Sequence, residues 1–253
     1  MTDYPDISND DIRFVADTHF LSREVPGEAQ RRDRFIRFLR SVPDGGALYL
    51  LGDVFDFYME YRSVVCKRFV DLFAAFIDCR ERGITMHFLG GNHDYWVGDF
   101  ITNELGITIH ENEILFSAQG RRVVCAHGDL VMPGDTGYKI LRAVIRNRFV
   151  IGASRWIHPD IMDAIARGVA SGSRRISKTS QEEQAIMLAD ISHRKFFSRG
   201  NDAFVMGHIH HPLLDSRDGR DFLLVGDWIH NFTYGKLSDG RLTLERFTDE
   251  DRD

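Results

Sequence analysis

Five short motifs in the chain carry residue types that hold cations or move protons. They are Asp17-Thr18-His19, Gly52-Asp53-Val54-Phe55-Asp56, Gly90-Gly91-Asn92-His93-Asp94, His127-Gly128-Asp129 and Gly207-His208-Ile209-His210. In an extended segment alternate side chains face the same way, so Asp17 and His19, or His208 and His210, can grip one ion from one side. Glycines let the backbone turn sharply and expose the trio Asn92, His93 and Asp94. Imidazole, carboxylate and amide oxygen together suit borderline divalent ions such as Mn²⁺, Fe²⁺, Zn²⁺ or Co²⁺. One carboxylate shared by two such ions would hold them close enough to clamp an oxygen nucleophile and neutralise charge building on phosphorus. A nearby imidazole would stabilise the transition state or protonate the leaving oxygen. The chemistry this describes is hydrolysis of a phosphate ester or phosphoanhydride.

Each motif alone is weak, because an Asp-x-His or His-Gly pair is more often a turn or a hydrogen-bonded histidine. Asp56 and Asp94 would serve equally as loop carboxylates or helix caps. The weight lies in five motifs in order, each placed where an apolar strand ends. The histidines at 87, 110, 158, 193 and 230 fall outside that pattern and receive no ligand role.

The elements that must position these residues alternate. Ile12–Ala16, Ala47–Leu51 and Ile84–Leu89 read as buried strands, separated by helices over Ala29–Ser41 and Arg62–Arg82, the second closed by Gly83. This β-α-β-α-β order favours parallel strands, with ligand-bearing loops at their carboxyl ends. Strands follow at Ile107–Ile109, Glu113–Ser117 and Arg121–Ala126, with Gln119-Gly120 as a hairpin turn. From Gly137 to about Arg199 the pattern is helical, interrupted by the Gly/Ser-rich stretch Gly168–Ser173. Strands return at Ala203–Met206, Phe222–Val225 and Leu242–Arg246. The reading is one α/β domain with a helical insertion too long for an ordinary loop.

With 253 residues, 43% of them hydrophobic and 28% charged, the chain has the composition of an ordinary globular protein. Met1–Asp11 lacks the basic start and apolar stretch of a secretory signal. No run approaches the ~18 uncharged apolar residues that cross a bilayer. Cys66, Cys79 and Cys125 are an odd number in apolar surroundings, so they read as buried thiols in a reducing compartment, and a cytoplasmic location is expected. The net charge of −6 is uneven: residues 132–200 hold twelve Lys and Arg against six Asp and Glu. This suggests an anion-facing surface, or a solvated helical face.

The five motifs together resemble the motif set of the calcineurin-like metallophosphoesterases, from residue 17 to residue 210. The resemblance implies a four-layer sandwich of two mixed β-sheets flanked by helices over residues 11–253, with 135–199 as a helical cap. It implies that Asp17, His19, Asp53 and His210 hold one cation and that Asp53, Asn92, His127 and His208 hold another, Mn²⁺ being favoured. His93 would face the substrate phosphate, oriented by Asp94. Within the family, Asp53-x-Phe55-Asp56-Phe57, Asp135-x-Gly137-Tyr138 and the basic insertion look most like the lipid A pathway pyrophosphatases. Those enzymes cleave a UDP-sugar lipid to UMP and an acylated sugar 1-phosphate. Substrate contacts are then implied for Asn92, His93, Asp135, Ser173, Lys178 and His208. The chain departs from that subgroup in carrying His93 where Arg is common, and Ser177 and Ser180 at two further substrate-contact positions of the insertion.

Arg142, Arg146, Arg148, Arg174, Arg175 and Lys178 have the charge to meet a diphosphate or membrane phosphates. Residues such as Ile140, Leu141, Phe149, Trp156 and Ile157 would line an acyl groove, rest on an inner-membrane surface, or simply pack the insertion onto the body. A phosphorylated lipid or small molecule is the expected partner. A nucleic acid is not, because no extended basic stripe or aromatic series is present. Two alternatives stay open: a phosphoesterase of other specificity, and a non-catalytic scaffold of the same fold.

Overall fold

The computed structural model describes residues 4–129, 131, 144–173, 180–197 and 200–248, without the side chains of 148, 167, 169–173 and 195. In chain order the strands are β1 (Asp6–Ile7), β2 (Ile12–Val15), β3 (Ala47–Leu50), β4 (Thr85–Leu89), β5 (Ile107–His110), β6 (Ile114–Ala118), β7 (Arg121–Ala126), β8 (Ala203–Met206), β9 (Leu213–Arg217), β10 (Arg220–Leu224), β11 (Thr233–Ser238) and β12 (Arg241–Arg246). Helices α1 (Glu28–Ser41) and α2 (Val70–Glu81) connect the early strands. Three more, α3 (Arg148–Ser154), α4 (Pro159–Ser173) and α5 (Gln181–Lys195), lie between β7 and β8.

The strands form two six-stranded sheets, ordered β12-β11-β2-β3-β4-β5 and β1-β6-β7-β8-β10-β9. Both are mixed. β2, β3, β4 and β5 run parallel in one, and β7, β8 and β10 in the other, with antiparallel strands beside them. Period-2 alternation assigns the faces. Ile12, Phe14, Ala47, Tyr49 and Leu51 point between the sheets, against Phe116, Val123, Cys125 and Val205. Val15, Leu48 and Leu50 point the other way, onto α1 and α2. On the far side α5 lays Ala185, Leu188 and Ala189 over Phe204 and Phe222. The layers are therefore helix, sheet, sheet, helix, the expected sandwich. Strands buried on both faces explain the continuous apolar runs that mark them in the sequence.

Some expectations need correction. The helix expected over Arg62–Arg82 begins only at Val70, after one 3₁₀ turn at Lys67–Phe69. Val64 and Val65 are exposed, and a β-branched pair with no core to face gives a helix little support. The Gly/Ser stretch at 168–173 does not interrupt its helix: α4 runs through it to Ser173. Pro159 opens that helix with its φ already fixed, and an internal glycine costs only about 1 kcal/mol against alanine. Strands β1, β9 and β11 add to those expected, and Asp218-Gly219 and Asp239-Gly240 take the paired positive φ of tight hairpins, as Gln119-Gly120 does. The cysteines are free thiols, Cys79 and Cys125 buried and Cys66 half-buried, and burial pushes all three thiols up.

Candidate metal centre

All five motifs leave the carboxyl ends of strands: Asp17 follows β2, Asp53 follows β3, Asn92 follows β4, His127 follows β7 and His208 follows β8. Leaving a strand this abruptly requires unusual backbone. Asp17, His19, Asp53 and His208 all have positive φ, at 53°, 43°, 54° and 69°. Left-handed backbone costs a non-glycine residue about 1–2 kcal/mol, so surrounding bonds must hold it. Gly91 meets the same demand by absence: a Cβ there would collide with the Asp53 carboxylate.

The exits converge. His19 Nε2 lies 3.7 Å from both Asp17 Oδ1 and Asp53 Oδ2. His210 Nε2 lies 3.6 Å from Asp17 Oδ1, and His127 Nε2 lies 3.6 Å from Asp53 Oδ2. Asn92 Oδ1 is 3.1 Å from His127 Nε2. Two donors on one ion, each about 2.1 Å away, sit roughly 3.0–3.5 Å apart, so these gaps suit shared cations. Three tight groups emerge: Asp17, His19 and His210; Asp17, Asp53 and His127; and His19, Asp53 and His93. The His208 ring sits 5.2 Å from that of His127, but His208 belongs to none of the three.

Asp17 Oδ1 and His19 Nε2 are buried with no hydrogen-bond partner. Buried polar atoms are ordinarily paired, so two facing orphans at the meeting point fit a cation. Hydrogen bonds fix the ring nitrogens accordingly. His127 Nδ1 lies 2.8 Å from the Leu51 carbonyl oxygen, which can only accept, so the proton sits on Nδ1 and the Nε2 lone pair faces the centre.

The electrostatics tell the same story. Burial works against the Asp53 carboxylate, but His127, His93 and His19 outweigh it and hold it below the ordinary range. Burial likewise pulls His19 down, and the carboxylates of Asp17, Asp53 and Asp56 overcome it, raising the imidazole to about 9. Burial, then the neighbouring imidazole of His127, push His208 down to about 4. Both central carboxylates, Asp17 included, are thus kept ionised inside the protein.

Asp94 acts differently from expectation. Its carboxylate accepts main-chain N–H groups from Asp53, Val54, Phe55 and Gly91, at 3.1, 2.6, 3.2 and 2.9 Å. It therefore shapes the Asp53 loop. The His93 ring is oriented instead by the Asp56 carbonyl oxygen, 2.8 Å from Nδ1. His93 Nε2 is left facing Asp53 Oδ2 at 4.0 Å.

The chain after β7 touches the centre's loops on two sides. Trp96 Nε1 donates to the Ile145 carbonyl at 2.7 Å. Arg146 stacks over Tyr95 and donates to Gly91 O at 3.2 Å, so this arginine grips a loop. On the other side Ser22 bonds Asp163. Ser180 caps α5 in a reciprocal pair with Glu183. Asp135, Ser177 and Lys178 lie outside the described residues, as do Arg142, Arg174 and Arg175, and of Ser173 only the backbone is described.

The chain is 28% identical to the UDP-2,3-diacylglucosamine hydrolase of Porphyromonas gingivalis, over 94% of this chain and 98% of that one. It is 27% identical to the enzyme of the same name from Aeromonas salmonicida, over 93% and 92%. Among solved structures it resembles a novel archaeal phosphodiesterase at 13% identity and a TM-score of 0.43, covering 93% of this chain and 98% of that one. The calcineurin-like phosphoesterase family model matches residues 11–212, a stretch that begins just ahead of β2 and ends two residues past His210. With the strand exits converging as they do inside that span, the chain belongs to the calcineurin-like phosphoesterases, as a metal-dependent hydrolase.

Proposed function

We propose that the centre holds two divalent cations and hydrolyses the pyrophosphate of UDP-2,3-diacylglucosamine, giving UMP and 2,3-diacylglucosamine 1-phosphate. The observation that carries this is Asp53, whose Oδ2 lies within 4.0 Å of Nε2 of His19, His93 and His127. One carboxylate in reach of two ligand groups is what a shared pair of ions needs. Asp17, His19, Asp53 and His210 would hold one cation, and Asp53, Asn92, His127 and His208 the other; the mixed imidazole and carboxylate set suits Mn²⁺, Fe²⁺, Zn²⁺ or Co²⁺, and the family resemblance favours Mn²⁺ among them. When bound, such cations supply Lewis-acid stabilisation of charge on phosphorus and acidify water.

The protein's own part is to place groups and move a proton. The Nδ1 proton of His93 is committed to the Asp56 carbonyl, so Nε2 is the atom that gives a proton to the leaving phosphate oxygen. Asn92 and His208 contact the same substrate phosphates, and Asp135, Ser173 and Lys178 approach the rest of the ligand. Residues 135–199 act as a cap over the cleft, which the contacts of Ile145, Arg146 and Asp163 with loops around the centre support. Among the described residues of that stretch, Phe149 and Trp156 are 88% and 92% exposed. With the local excess of basic residues they would rest on an anionic membrane surface from the cytoplasmic side. No helix among the described residues is long and apolar enough to cross a membrane.

Incubating Mn²⁺-loaded protein with UDP-2,3-diacylglucosamine tests the reading: UMP should appear. His93 in place of the subgroup's arginine, and Ser180 committed to a helix cap, favour a second reading, a phosphoesterase acting on another diphosphate or diester. Turnover of such a compound without UMP release would establish it.

A further inference from the structure

The proposed ligands Asp17, His19 and His210 share one property: each is held from behind through its own main chain, or its neighbour's, by residues far away in sequence. The Trp228 N–H donates to Asp17 O at 3.2 Å. Asn231 Nδ2 donates to His210 O at 2.8 Å and to Asp227 Oδ2 at 2.8 Å. Asp227 is buried and accepts the N–H groups of Ile229, His230 and Asn231, so the turn carrying Asn231 is itself fixed. On the opposite flank Arg31 reaches from α1 to the carbonyl oxygens of Thr18 and His19, the latter at 2.8 Å. Buried Glu28 pairs with Arg31 at 2.6 Å and accepts the Leu21 N–H at 2.9 Å. Asp17 and His19 are left-handed, so their carbonyls would swing if released.

Resting on the two-cation reading above, we propose that Arg31 and Asn231 are positioning residues for the Asp17–His19–His210 cation alone. Among the described residues, neither side chain hydrogen-bonds or ion-pairs with the proposed ligands Asp53, Asn92, His127 or His208. That second group has anchors of its own, the Asp53 N–H donating to Asp94 and the His127 ring to Leu51 O. It meets the first through main-chain donors, His208 N–H to Asp17 Oδ2 and His19 N–H to Asp53 O, which neither strut touches. Loss of either strut should therefore weaken one binding event and spare its neighbour. Outer partners of metal ligands typically change affinity by about 10–100-fold.

The test is Mn²⁺ titration of the chelated full chain, with electron paramagnetic resonance to separate isolated from coupled ions. Wild type should take up two ions; fewer than two would overturn the two-cation reading itself. Asn231→Leu, which leaves Asp227 its three main-chain donors, should lose about 10–100-fold at one event and give an isolated-ion spectrum at low Mn²⁺. Arg31→Lys, which keeps the charge for Glu28 but cannot span both carbonyls, should do the same, and it carries the test alone if Asn231→Leu does not fold. Two intact events in a folded variant, or equal weakening of both, would overturn the positioning role while the two-cation reading stands.

Discussion

The Asp94 carboxylate takes the Asp53 main-chain N–H at 3.1 Å while its second oxygen takes that of Val54 at 2.6 Å, so one buried acid folds the loop that presents another. Burial and the nearby charge of Asp53 push the Asp94 carboxyl up to about 6 against the pull of the Gly91 and Phe55 N–H groups, which it also accepts. Asp94→Ala would strand four donors. It should cost on the order of 3 kcal/mol in urea unfolding of the metal-free protein, and it should cut turnover by displacing Asp53. Unchanged stability would show that the four bonds carry no weight.

Asp53→Ala removes the carboxylate that both ligand groups approach. Metal content after dialysis should fall below that of wild type, with turnover down by roughly 10³-fold or more. Full occupancy would contradict the shared role. His93→Ala should instead keep its metal and lose about 10²–10⁴-fold in turnover, as removal of a proton donor does.

A pH dependence follows from a histidine pair remote from the centre. His87 stacks on Tyr49 at 4.5 Å, with Nδ1 3.1 Å from His110 Nε2. Burial, then His110, push His87 down to about 4. Below the ordinary value near 6.5 the unfolded chain binds a proton that the folded one refuses. Stability should therefore decline as pH falls from 6.5 to 4 and level off beneath that. Replacing His87 by Phe keeps a stacking ring and should flatten this part of the profile relative to wild type in thermal unfolding of chelated protein. Parallel profiles would remove His87 from the account.

Phe149→Ser with Trp156→Ser should reduce partition onto anionic vesicles in a sedimentation assay without changing the fold, because both rings are almost wholly exposed. Undiminished partition would place membrane contact elsewhere.

How far these features could be read in advance depends on whether they leave a local trace. Strands such as Ala47–Leu50 are buried on both faces and appear as apolar runs, and the proposed ligands Asp17, Asp53 and His127 announce themselves by sitting directly behind such runs. β9 and β11 carry Asp, Ser, Arg, Lys and Gly on half-wet faces, so only their Asp-Gly turns signal them. Asp94 is visible as a motif member, but its service to four amides depends on a loop some forty residues away. Arg31 and Asn231 leave no trace in spacing, since they act on carbonyl oxygens that every residue possesses, and Glu28 acts on Arg31 and on the main-chain N–H of Leu21.

The two β-sheets face each other across Phe14, Tyr49 and Phe116, and the loops that carry the proposed ligands come from β2, β3 and β4 on one side and from β7 and β8 on the other. Cations bound between those loops would rivet the two slabs together at a single rim. Occupancy would then be felt mechanically as well as chemically: stripping the ions should let that rim gape, with hydrogen exchange rising in the strand ends near 51, 126 and 206 before it rises at the hairpin rim around 119 and 239.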